Sequence, residues 1–361
     1  MEWRELTVEE LYGLKNPLII DVRSPGEFQE ARIPGSINVA LLNDDERVVL
    51  GTIYKQQGEQ IARRYALKII SPKIPLLIDE ILAKKEHSRS IVIHCWRGGL
   101  RSEAVSSVLS IAGIASYRLT GGYKAWRNMV LHELDSDRFA FEPIVLYGMT
   151  GSGKTDLLHE LSKLGYQVLD LEQLASHRGS IFGGIGLGSQ PSQKNFEALL
   201  WECLRNLDLR KPVFIEAESR KIGKVSLPDT VLKRIKEGQA IFVEAGVSQR
   251  VKRITRQYLN SCTSIKDGID ESLKLLELIK QSIGKAQLER IHQLSAESNI
   301  DEIVRILLEE YYDPLYAKSM RNANTILTVC DDNENSAIEQ IKKFANSFKI
   351  TDQPLIRSSL T

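Results

Sequence analysis

One cysteine lies in a segment that could make it a nucleophile. Cys95 ends the apolar run IVIHC and is followed by a glycine pair and a helical pattern, in the order CWRGGLRS. At the start of a helix, backbone N–H groups converge and the helix dipole favours negative charge. Nearby arginines add to this effect, so the reactive thiolate form is favoured. The same loop could bind an oxyanion such as phosphate or sulfate through Arg97, Gly98, Gly99, Arg101 and Ser102.

A second segment has the pattern of a phosphate-binding loop. Residues 143–160 read PIVLYGMTGSGKTDLLHE, in which G-x4-G-K-T follows an apolar strand pattern and opens a helical one. In that context, backbone N–H groups surround a phosphate, the lysine reaches its terminal oxygens and the hydroxyl can bind Mg²⁺. The residues predicted to bind a diphosphate are Gly148, Gly151, Ser152, Gly153, Lys154 and Thr155.

The carboxylate that holds the metal in a typical P-loop enzyme is harder to assign. The candidates are Asp170, after one strand pattern, and Glu216 and Glu218, after another. None of them matches the usual pattern, so no metal ligand is predicted. The P-loop therefore indicates polyphosphate binding more strongly than ATP hydrolysis, and the polyphosphate could belong to another ligand.

The stretch from residue 169 to residue 197 is long and rich in glycine and serine, with charged and aromatic insertions. A loop of this length within a compact domain is usually functional. Ser176, His177, Arg178 and Gly179 could form an anion site or a lid over a substrate. Asp170, Glu216 and Glu218 are further candidates for a lid or substrate-binding role. The alternative is a flexible surface loop.

Positive charge is concentrated in residues 210–256, although the net charge of the chain is only +1. Arg250, Lys252, Arg253 and Arg256 follow a strand pattern, and on a helix the last three share one face. Such a face could contact several phosphates of a nucleic acid. The alternative is an ordinary solvated helix face.

Six short apolar, β-branched runs alternate with helical patterns, which is typical of parallel α/β structure. They occupy residues 17–22, 90–95, 143–148, 166–171, 212–218 and 240–246. We predict one domain over 1–135 and a second over 140–330, with an added helical region from about residue 268. Residues 340–361 are predicted to form a polar tail.

Length and composition narrow the class of protein. A chain of 361 residues exceeds one ordinary domain, and its 42% hydrophobic and 26% charged residues are typical of a globular protein. No apolar run reaches the ~18 residues that a membrane span needs, and the N-terminal segment does not resemble a signal peptide. The cysteines lack zinc-site spacing, and Cys203, Cys262 and Cys330 are predicted to be core residues. We expect a cytoplasmic protein.

Three ordered motifs resemble those of rhodanese-fold sulfurtransferases. The C-x5-R-S pattern of Cys95, Arg101 and Ser102 is similar to the active-site loop of that family. DVRSPGEFQEARIPGSINV (21–39) resembles its early signature, and LTGGYKAW (119–126) resembles its closing signature. The resemblance implies a rhodanese-like α/β domain with Cys95 as the catalytic residue. The C-x5-R pattern alone would also fit protein tyrosine phosphatases, and an inactive domain with an inert Cys95 is the other alternative.

Over residues 5–340 the chain resembles the bacterial tRNA 2-selenouridine synthases, in which a rhodanese-like domain precedes a P-loop NTPase-like domain. The likeness rests on GMTGSGKT, LEQLASHRGSIFGG, IEAESRKIG and YYDPLY. It implies a transferase that acts on 2-thiouridine at the wobble position of tRNA. It further implies S-geranylation by geranyl diphosphate, followed by replacement of the S-geranyl group with selenium from selenophosphate.

The same resemblance implies ligands and partners. The P-loop would hold the diphosphate of the prenyl donor, and the Cys95 loop would hold selenophosphate or a cysteine-bound selenium. We expect no tightly bound cofactor, with Mg²⁺ as an allowed companion of the diphosphate. The expected partners are a tRNA with wobble 2-thiouridine and the synthase that supplies selenophosphate, whereas neither DNA nor a membrane is expected.

Two other functions fit the same residues. One is an ATP-dependent sulfur-relay enzyme that passes persulfide sulfur to a tRNA or a cofactor, which formation of an adenylate or ADP would reveal. The other is a regulatory module that senses oxyanions and nucleotides, and it would not need Cys95 as a nucleophile.

Overall fold

A computed structural model describes residues 3–85, 89–261, 273–276, 279, 281, 283–315, 325–330 and 334–347. The chain forms two compact units. The first comprises residues 1–133 with 197–199, and the second comprises residues 134–196 with 200–361. No helix in the described part of the chain is long and apolar enough to cross a membrane.

The first unit is built around a parallel five-stranded sheet with the order β1-β5-β4-β2-β3. Its strands are β1 (Arg4–Leu6), β2 (Leu18–Asp21), β3 (Ile37–Asn38), β4 (Ile91–His94) and β5 (Tyr117–Leu119). Its helices are α1 (Val8–Leu11), α2 (Pro25–Glu30), α3 (Asp44–Gln57), α4 (Glu59–Ile70), α5 (Ile74–Ala83), α6 (Leu100–Ile111) and α7 (Gly122–Asp135).

Local sequence determines where the helices of this unit begin. Helix α2 begins at a proline, whose fixed φ suits a first helical turn, and Ser24 forms a capping box with Glu27. Helix α3 begins in the same way, since Asn43 accepts from the Glu46 amide and the Glu46 carboxylate accepts from the Asn43 amide. Helices α3, α4 and α5 follow one another between β3 and β4, and Leu77 and Ile81 of α5 pack into the core of the sheet.

The second unit has a parallel five-stranded sheet with the order β12-β11-β6-β8-β7 and a small hairpin of β9 and β10. The strands are β6 (Pro143–Tyr147), β7 (Gln167–Leu169), β8 (Val213–Glu216), β9 (Lys221–Ile222), β10 (Val225–Ser226), β11 (Gln239–Glu244) and β12 (Thr325–Cys330). The helices are α8 (Lys154–Lys163), α9 (Leu171–Ala175), α10 (Gln193–Arg205), α11 (Asp229–Glu237), α12 (Val247–Ser261), α13 (Lys285–Ala296), α14 (Ile300–Leu307) and α15 (Glu334–Ser347).

All six predicted strands are present, and the predicted α/β class with parallel sheets is confirmed. The prediction of a polar tail from residue 340 was wrong for residues 340–347, which belong to α15. Ala337, Ile341 and Ala345 recur at helical spacing and are buried in the core of the second sheet. The apolar residues of this segment are few, so the sequence analysis did not detect the amphipathic helix that they form. Residues 348–361 lie outside the described residues.

A second apolar cluster joins α12, α13 and α14 to the long loop before α10. Phe182 and Ile185 of that loop are buried against Val251, Ile291 and Ile306. The helical region predicted from about residue 268 includes α13 and α14, although its predicted start lies outside the described residues. The long loop is therefore part of a packed core at this point.

Candidate active sites

The Cys95 thiol lies at the end of β4, where the chain enters the loop that precedes α6. Its side chain is 3% exposed. The Sγ atom is 3.3 Å from Ser102 Oγ and 3.8 Å from the Gly99 carbonyl oxygen. Ser102 Oγ also lies 2.9 Å from that carbonyl. The Ser102 hydroxyl donates to the Gly99 carbonyl, so it could stabilise a Cys95 thiolate only by turning from that carbonyl to the sulfur, whereas the N-terminus of α6 lies beside the thiol in either case.

The closing signature, residues 119–126, hydrogen-bonds to the backbone of the Cys95 loop. The backbone N–H of Tyr123 donates to the Cys95 carbonyl at 2.9 Å, and that of Lys124 donates to the Trp96 carbonyl at 2.9 Å. Gly122 has a φ of +57°, and a side chain there would collide with the Cys95 carbonyl. The requirement for glycine in this signature is therefore a close approach of two backbones.

The early signature, residues 21–39, contributes a buried network of hydrogen bonds that supports the structure around the Cys95 loop. Arg23 is almost fully buried, and its guanidinium donates to the Asp21 carboxylate at 2.6 Å and to the Ala31 carbonyl at 2.5 Å. It lies 4.3 Å from the centre of the Tyr123 ring. Asn38 Nδ2 donates to the Asp21 carbonyl at 2.8 Å. A buried charge needs such pairing, so this network holds the strands around the loop in one arrangement.

The two arginines of the loop have different surroundings. Arg101 donates to Glu27 through both terminal nitrogens, at 2.6 and 3.3 Å, whereas Arg97 is exposed. Burial alone would raise the pKa of Glu27, but the hydrogen bonds and charge of Arg101 outweigh it and hold that pKa below its ordinary value. The sequence did not identify Glu27 as a site residue, although its place in the early signature was an available signal. Oxyanion binding by Arg97, Gly98, Gly99, Arg101 and Ser102 stays a prediction.

The P-loop joins β6 to α8 in the second unit. Gly151 has a φ of +77°, and a side chain there would meet Ile254 at 2.7 Å. Lys154 Nζ donates to the carbonyls of Gly148 and Met149 at 3.0 and 3.3 Å, which holds the ammonium group at the loop. Gly151, Gly153, Lys154 and Thr155 line a cavity of about 360 Å³. The hydroxyl of Ser152 is buried and has no hydrogen-bond partner among the described residues.

Three carboxylates meet at this cavity. Glu216 ends β8, Glu218 follows it, and Glu172 lies in the first turn of α9, so that one oxygen of each lies within 4.8 Å of the others. The Glu216 side chain is 3% exposed, hydrogen-bonds Thr155, and has one oxygen without a partner among the described residues. The sequence offered Glu216 and Glu218 only as uncertain candidates and missed Glu172, which the fold of LEQLA brings to them.

Burial and mutual repulsion change the acidity of these groups. Burial and the neighbouring carboxylates raise the pKa of Glu172 to about 9 and that of Glu218 to about 8. Burial also raises the pKa of Glu216, although Lys154 opposes this. Carboxylate and hydroxyl oxygens are suitable ligands for Mg²⁺, and a cation would remove the repulsion. The arrangement therefore fits a divalent cation, with the three glutamates and Thr155 as its ligands.

Asp170 has a separate role within the described contacts. Its carboxylate accepts from the Gln173 amide at 2.8 Å, which caps α9, and lies 3.1 Å from His159 Nε2. A capping carboxylate fixes the start of the helix that carries Glu172. Asp170 therefore positions the cluster, and the structure does not place it among the three grouped carboxylates.

The long loop covers the carboxylates. Burial and the neighbouring Arg178 lower the pKa of His177, whose ring packs against the backbone of Gly183. The Arg178 guanidinium lies 4.9 Å from the centre of the Tyr258 ring, and Arg178 lines the P-loop cavity. Gly179 has a φ of +66°, and a Cβ atom there would lie 2.9 Å from Glu218 and 3.0 Å from Glu172. A substrate-binding or lid role for His177 and Arg178 stays a prediction.

The predicted tRNA-binding residues on α12 do not share one free surface. Arg250 is 3% exposed, pairs with Asp313 at 2.6 and 3.0 Å, and donates to the Thr150 carbonyl at 2.9 Å. The prediction that Arg250 binds tRNA was therefore wrong, because its buried side chain is paired with Asp313 and bonded to the P-loop backbone. Arg253 donates to the Gly151 carbonyl at 2.7 Å and, with Arg256, lines the P-loop cavity.

Lys252 is exposed, as a surface contact would require, but it is not among the residues that line that cavity. The local excess of positive charge is therefore divided between the P-loop and the surface. Binding of tRNA by Lys252, Arg253 and Arg256 stays a prediction.

The fold and the two sites define a class: an α/β enzyme in which a rhodanese-type thiol loop precedes a P-loop with its own carboxylate cluster. The family described as a rhodanese-like domain matches residues 7–129. The family described as the AAA domain of tRNA 2-selenouridine synthase matches residues 141–347. The chain therefore belongs to the tRNA 2-selenouridine synthase family.

Two tRNA 2-selenouridine synthases are similar to most of this chain. The tRNA 2-selenouridine synthase of Nitrosomonas europaea is 34% identical over 94% of this chain and 86% of its own length. That of Nitrosomonas eutropha is 34% identical over 88% of this chain and 91% of its own length. A solved rhodanese-related protein of Thermoplasma volcanium is 20% identical over 35% of this chain and 92% of its own, with a TM-score of 0.22.

Proposed function

We propose that this protein replaces the sulfur of 2-thiouridine with selenium at the wobble position of tRNA. The observation that carries the proposal is the combination, in one member of this family, of a structured Cys95 loop and a structured P-loop. The tRNA is then the macromolecular partner. The selenium donor is selenophosphate, delivered by the synthase that makes it, and the reaction takes place in the cytoplasm.

The route begins with alkylation of the sulfur. A bond forms between the sulfur and C1 of the geranyl group while the C1–O bond of geranyl diphosphate breaks, and diphosphate leaves with the electron pair. A thiocarbonyl sulfur is a poor leaving group, whereas the S-geranyl group can depart from C2 as a geranyl thiolate. The selenium of selenophosphate then forms a bond to C2 of the base while the C2–S bond breaks, and the sulfur departs with the electron pair and takes up a proton as geranyl thiol. Water cleaves the Se–P bond, which releases phosphate and leaves 2-selenouridine. The Cys95 loop would hold the selenophosphate anion next to the thiol, because backbone donors and Arg101 lie at a helix N-terminus.

The P-loop would bind the diphosphate of the prenyl donor. Lys154 and the backbone N–H groups of the loop would contact the phosphate oxygens, while Arg253 and Arg178 add positive charge at the same cavity. Mg²⁺, when held by Thr155 and the three glutamates, would neutralise the charge that develops on the leaving diphosphate. The P-loop itself would bind and orient the prenyl donor.

The direct test is mass spectrometry of tRNA nucleosides. Purified protein is incubated with a tRNA that contains 2-thiouridine, first with geranyl diphosphate and then with selenophosphate. We expect S-geranyl-2-thiouridine after the first addition and 2-selenouridine after the second. Formation of ADP or an adenylate that depends on tRNA, without a geranylated nucleoside, would instead support the ATP-dependent sulfur-relay enzyme.

A further inference from the structure

A groove in the first unit lies beside the Cys95 loop and has an apolar wall. It has a volume of about 430 Å³ and is lined by residues of α3, α4, α5 and α6. Leu41, Leu42 and Leu77 form part of its buried floor. This volume falls within the range of about 300–1,000 Å³ that is usual for small-molecule sites.

Large apolar side chains at the rim of the groove are open to solvent. Leu67 is 65% exposed, and Tyr54 and Leu100 are about half exposed. The charged side chains at its edge are already paired, Arg63 with Glu59 at 2.6 Å and Arg101 with Glu27 at 2.6 Å. A contiguous exposed apolar surface of this kind marks a binding site for an apolar group.

The groove is continuous with the catalytic loop through α6. Leu100, Ala104 and Val108 line it at intervals of four residues, so they form a stripe along one face of the helix, about 12 Å long at 1.5 Å per residue. Helix α6 begins immediately after the Cys95 loop, and Ser102 in its first turn lies 3.3 Å from Cys95 Sγ. Val105 lines the groove and packs in the same apolar cluster as Cys95.

We propose that this groove binds the hydrocarbon chain of the prenylated nucleoside during selenium transfer. The proposal rests on the proposed function, in which the carbon that reacts is one sulfur atom away from a geranyl group. A nucleoside with its C2 atom at the Cys95 loop would place that chain along α6. An apolar groove would bind it without stranding polar groups, and the ion pair of Arg101 and Glu27 marks its end nearest the thiol.

The test compares the affinities of the full-length protein for two anticodon stem-loop RNAs, one with S-geranyl-2-thiouridine and one with S-methyl-2-thiouridine. Each buried methylene contributes about fourfold to binding, so the wild-type protein should prefer the geranylated RNA by at least about tenfold. Leu67→Asp places a charge at the rim, and Ala104→Phe fills the groove. Both variants should lose the preference while they retain their affinity for the methylated RNA.

Leu76→Asp is the matched control, because Leu76 is 73% exposed on α5 and does not line the groove. It should keep the preference of the wild-type protein, and circular dichroism should give the same fold for all variants. An unchanged preference in both groove variants, or equal losses in the control, would overturn the proposal. So would a Leu67→Asp variant that changes only the oligomeric state in light scattering, since the groove would then be an interface between copies of the chain.

The binding measurement needs no turnover, which separates this proposal from the proposed function. Preferential binding of the geranylated RNA without any 2-selenouridine would contradict the route and leave the groove in place. Conversely, formation of 2-selenouridine from that RNA with the same KM in the groove variants and the wild-type protein would support the route and remove the groove.

Discussion

The Cys95 thiol combines burial with a polar first turn of helix. Its low exposure keeps it from bulk oxidants, while Ser102 and the start of α6 can stabilise a negative charge on sulfur. Among the described residues, Cys203 has no such helix start beside its thiol, and burial and the neighbouring Glu202 raise the pKa of Cys203. The two cysteines therefore differ in surroundings rather than in residue type.

Replacing Cys95 with alanine should reduce 2-selenouridine formation by several orders of magnitude, because the variant lacks the thiol of the loop that is predicted to hold and orient the selenium donor. Geranylation should continue, since the predicted diphosphate site lies on the P-loop. Nucleoside mass spectrometry measures both products in one sample. Cys203→Ala is the control and should behave like the wild-type protein. Normal formation of 2-selenouridine by Cys95→Ala would remove Cys95 as the nucleophile.

The carboxylate cluster makes the stability of the metal-free protein depend on pH. The pKa values of Glu172 and Glu218 are raised in the folded protein, so above the ordinary glutamate pKa the folded state binds more protons than the unfolded state. The free energy of unfolding should therefore fall as pH rises towards about 9. Mg²⁺ should oppose this fall, because it binds the deprotonated carboxylates and its affinity should rise over the same interval.

Thermal unfolding between about pH 6 and pH 9, with EDTA or with MgCl₂, measures both effects. Glu172→Gln should flatten the decline in the EDTA series, whereas Glu297→Gln, at an exposed position, should leave it unchanged. A melting temperature that does not depend on pH in EDTA, or does not respond to Mg²⁺ at the higher pH, would contradict this account of the cluster.

At the scale of elements, the segment HRGS couples the long loop to the cluster. Gly179→Ala should weaken binding of Mg²⁺ and geranyl diphosphate by about 10- to 100-fold, as expected when the supports of metal ligands are displaced. The reason is the approach of the new Cβ atom to Glu172 and Glu218. Titration calorimetry measures both affinities.

Gly188→Ala provides the matched control for that prediction. Gly188 also has a positive φ, of +75°, but a Cβ atom there would meet no other atom within 4 Å. Both alanines therefore carry the cost of left-handed backbone, roughly 1–2 kcal/mol, and only the first one reaches the carboxylates. Equal effects of the two substitutions on ligand binding would attribute them to backbone strain alone.

The sequence predicted those elements whose patterns are local and strong. The six predicted strands are apolar runs that end in turn residues, and the Cys95 loop and the P-loop come directly after two of them. The structure contains all six strands. The strands β1, β3, β5, β9, β10 and β12 were not predicted. The first five have only two or three residues each, and β12 pairs with β11, which lies far from it in the sequence. Cys330 illustrates this, since it is exposed on the edge strand β12 rather than buried, while Cys262 lies outside the described residues.

The site residues divide in the same way. Cys95, Lys154 and Thr155 belong to motifs with fixed spacing, so the sequence alone was sufficient to predict a role for them, and those roles stay predictions. Glu172 joins Glu216 and Glu218 only because β7 and β8 are neighbours in the sheet, and Arg250 turns inward only because Asp313 is there to pair with it. Neither arrangement leaves a local trace in the sequence, because both depend on contacts between distant segments.

At the scale of the whole molecule, each unit has its own hydrophobic core and contains one of the two candidate sites. The Cys95 loop with its supports lies within residues 1–133, and the P-loop with its carboxylates lies within the second unit. Under the proposed function, the first unit performs the selenium step and the second performs the prenyl step. Each step should therefore be lost separately.

This separation predicts complementation between two defective variants. Cys95→Ala should produce S-geranyl-2-thiouridine tRNA and stop, whereas Lys154→Ala, which lacks a phosphate ligand, should fail to geranylate but retain the Cys95 loop. A mixture of the two proteins with tRNA, geranyl diphosphate and selenophosphate should form 2-selenouridine, because the geranylated tRNA made by one variant is the substrate of the other.

Two controls decide the result by mass spectrometry: each variant alone, and Lys154→Ala supplied with tRNA that is already geranylated. If the supplied tRNA is converted but the mixture stays inactive, the intermediate does not leave the protein that makes it. If the supplied tRNA is not converted either, the assignment of the two steps to separate units is wrong.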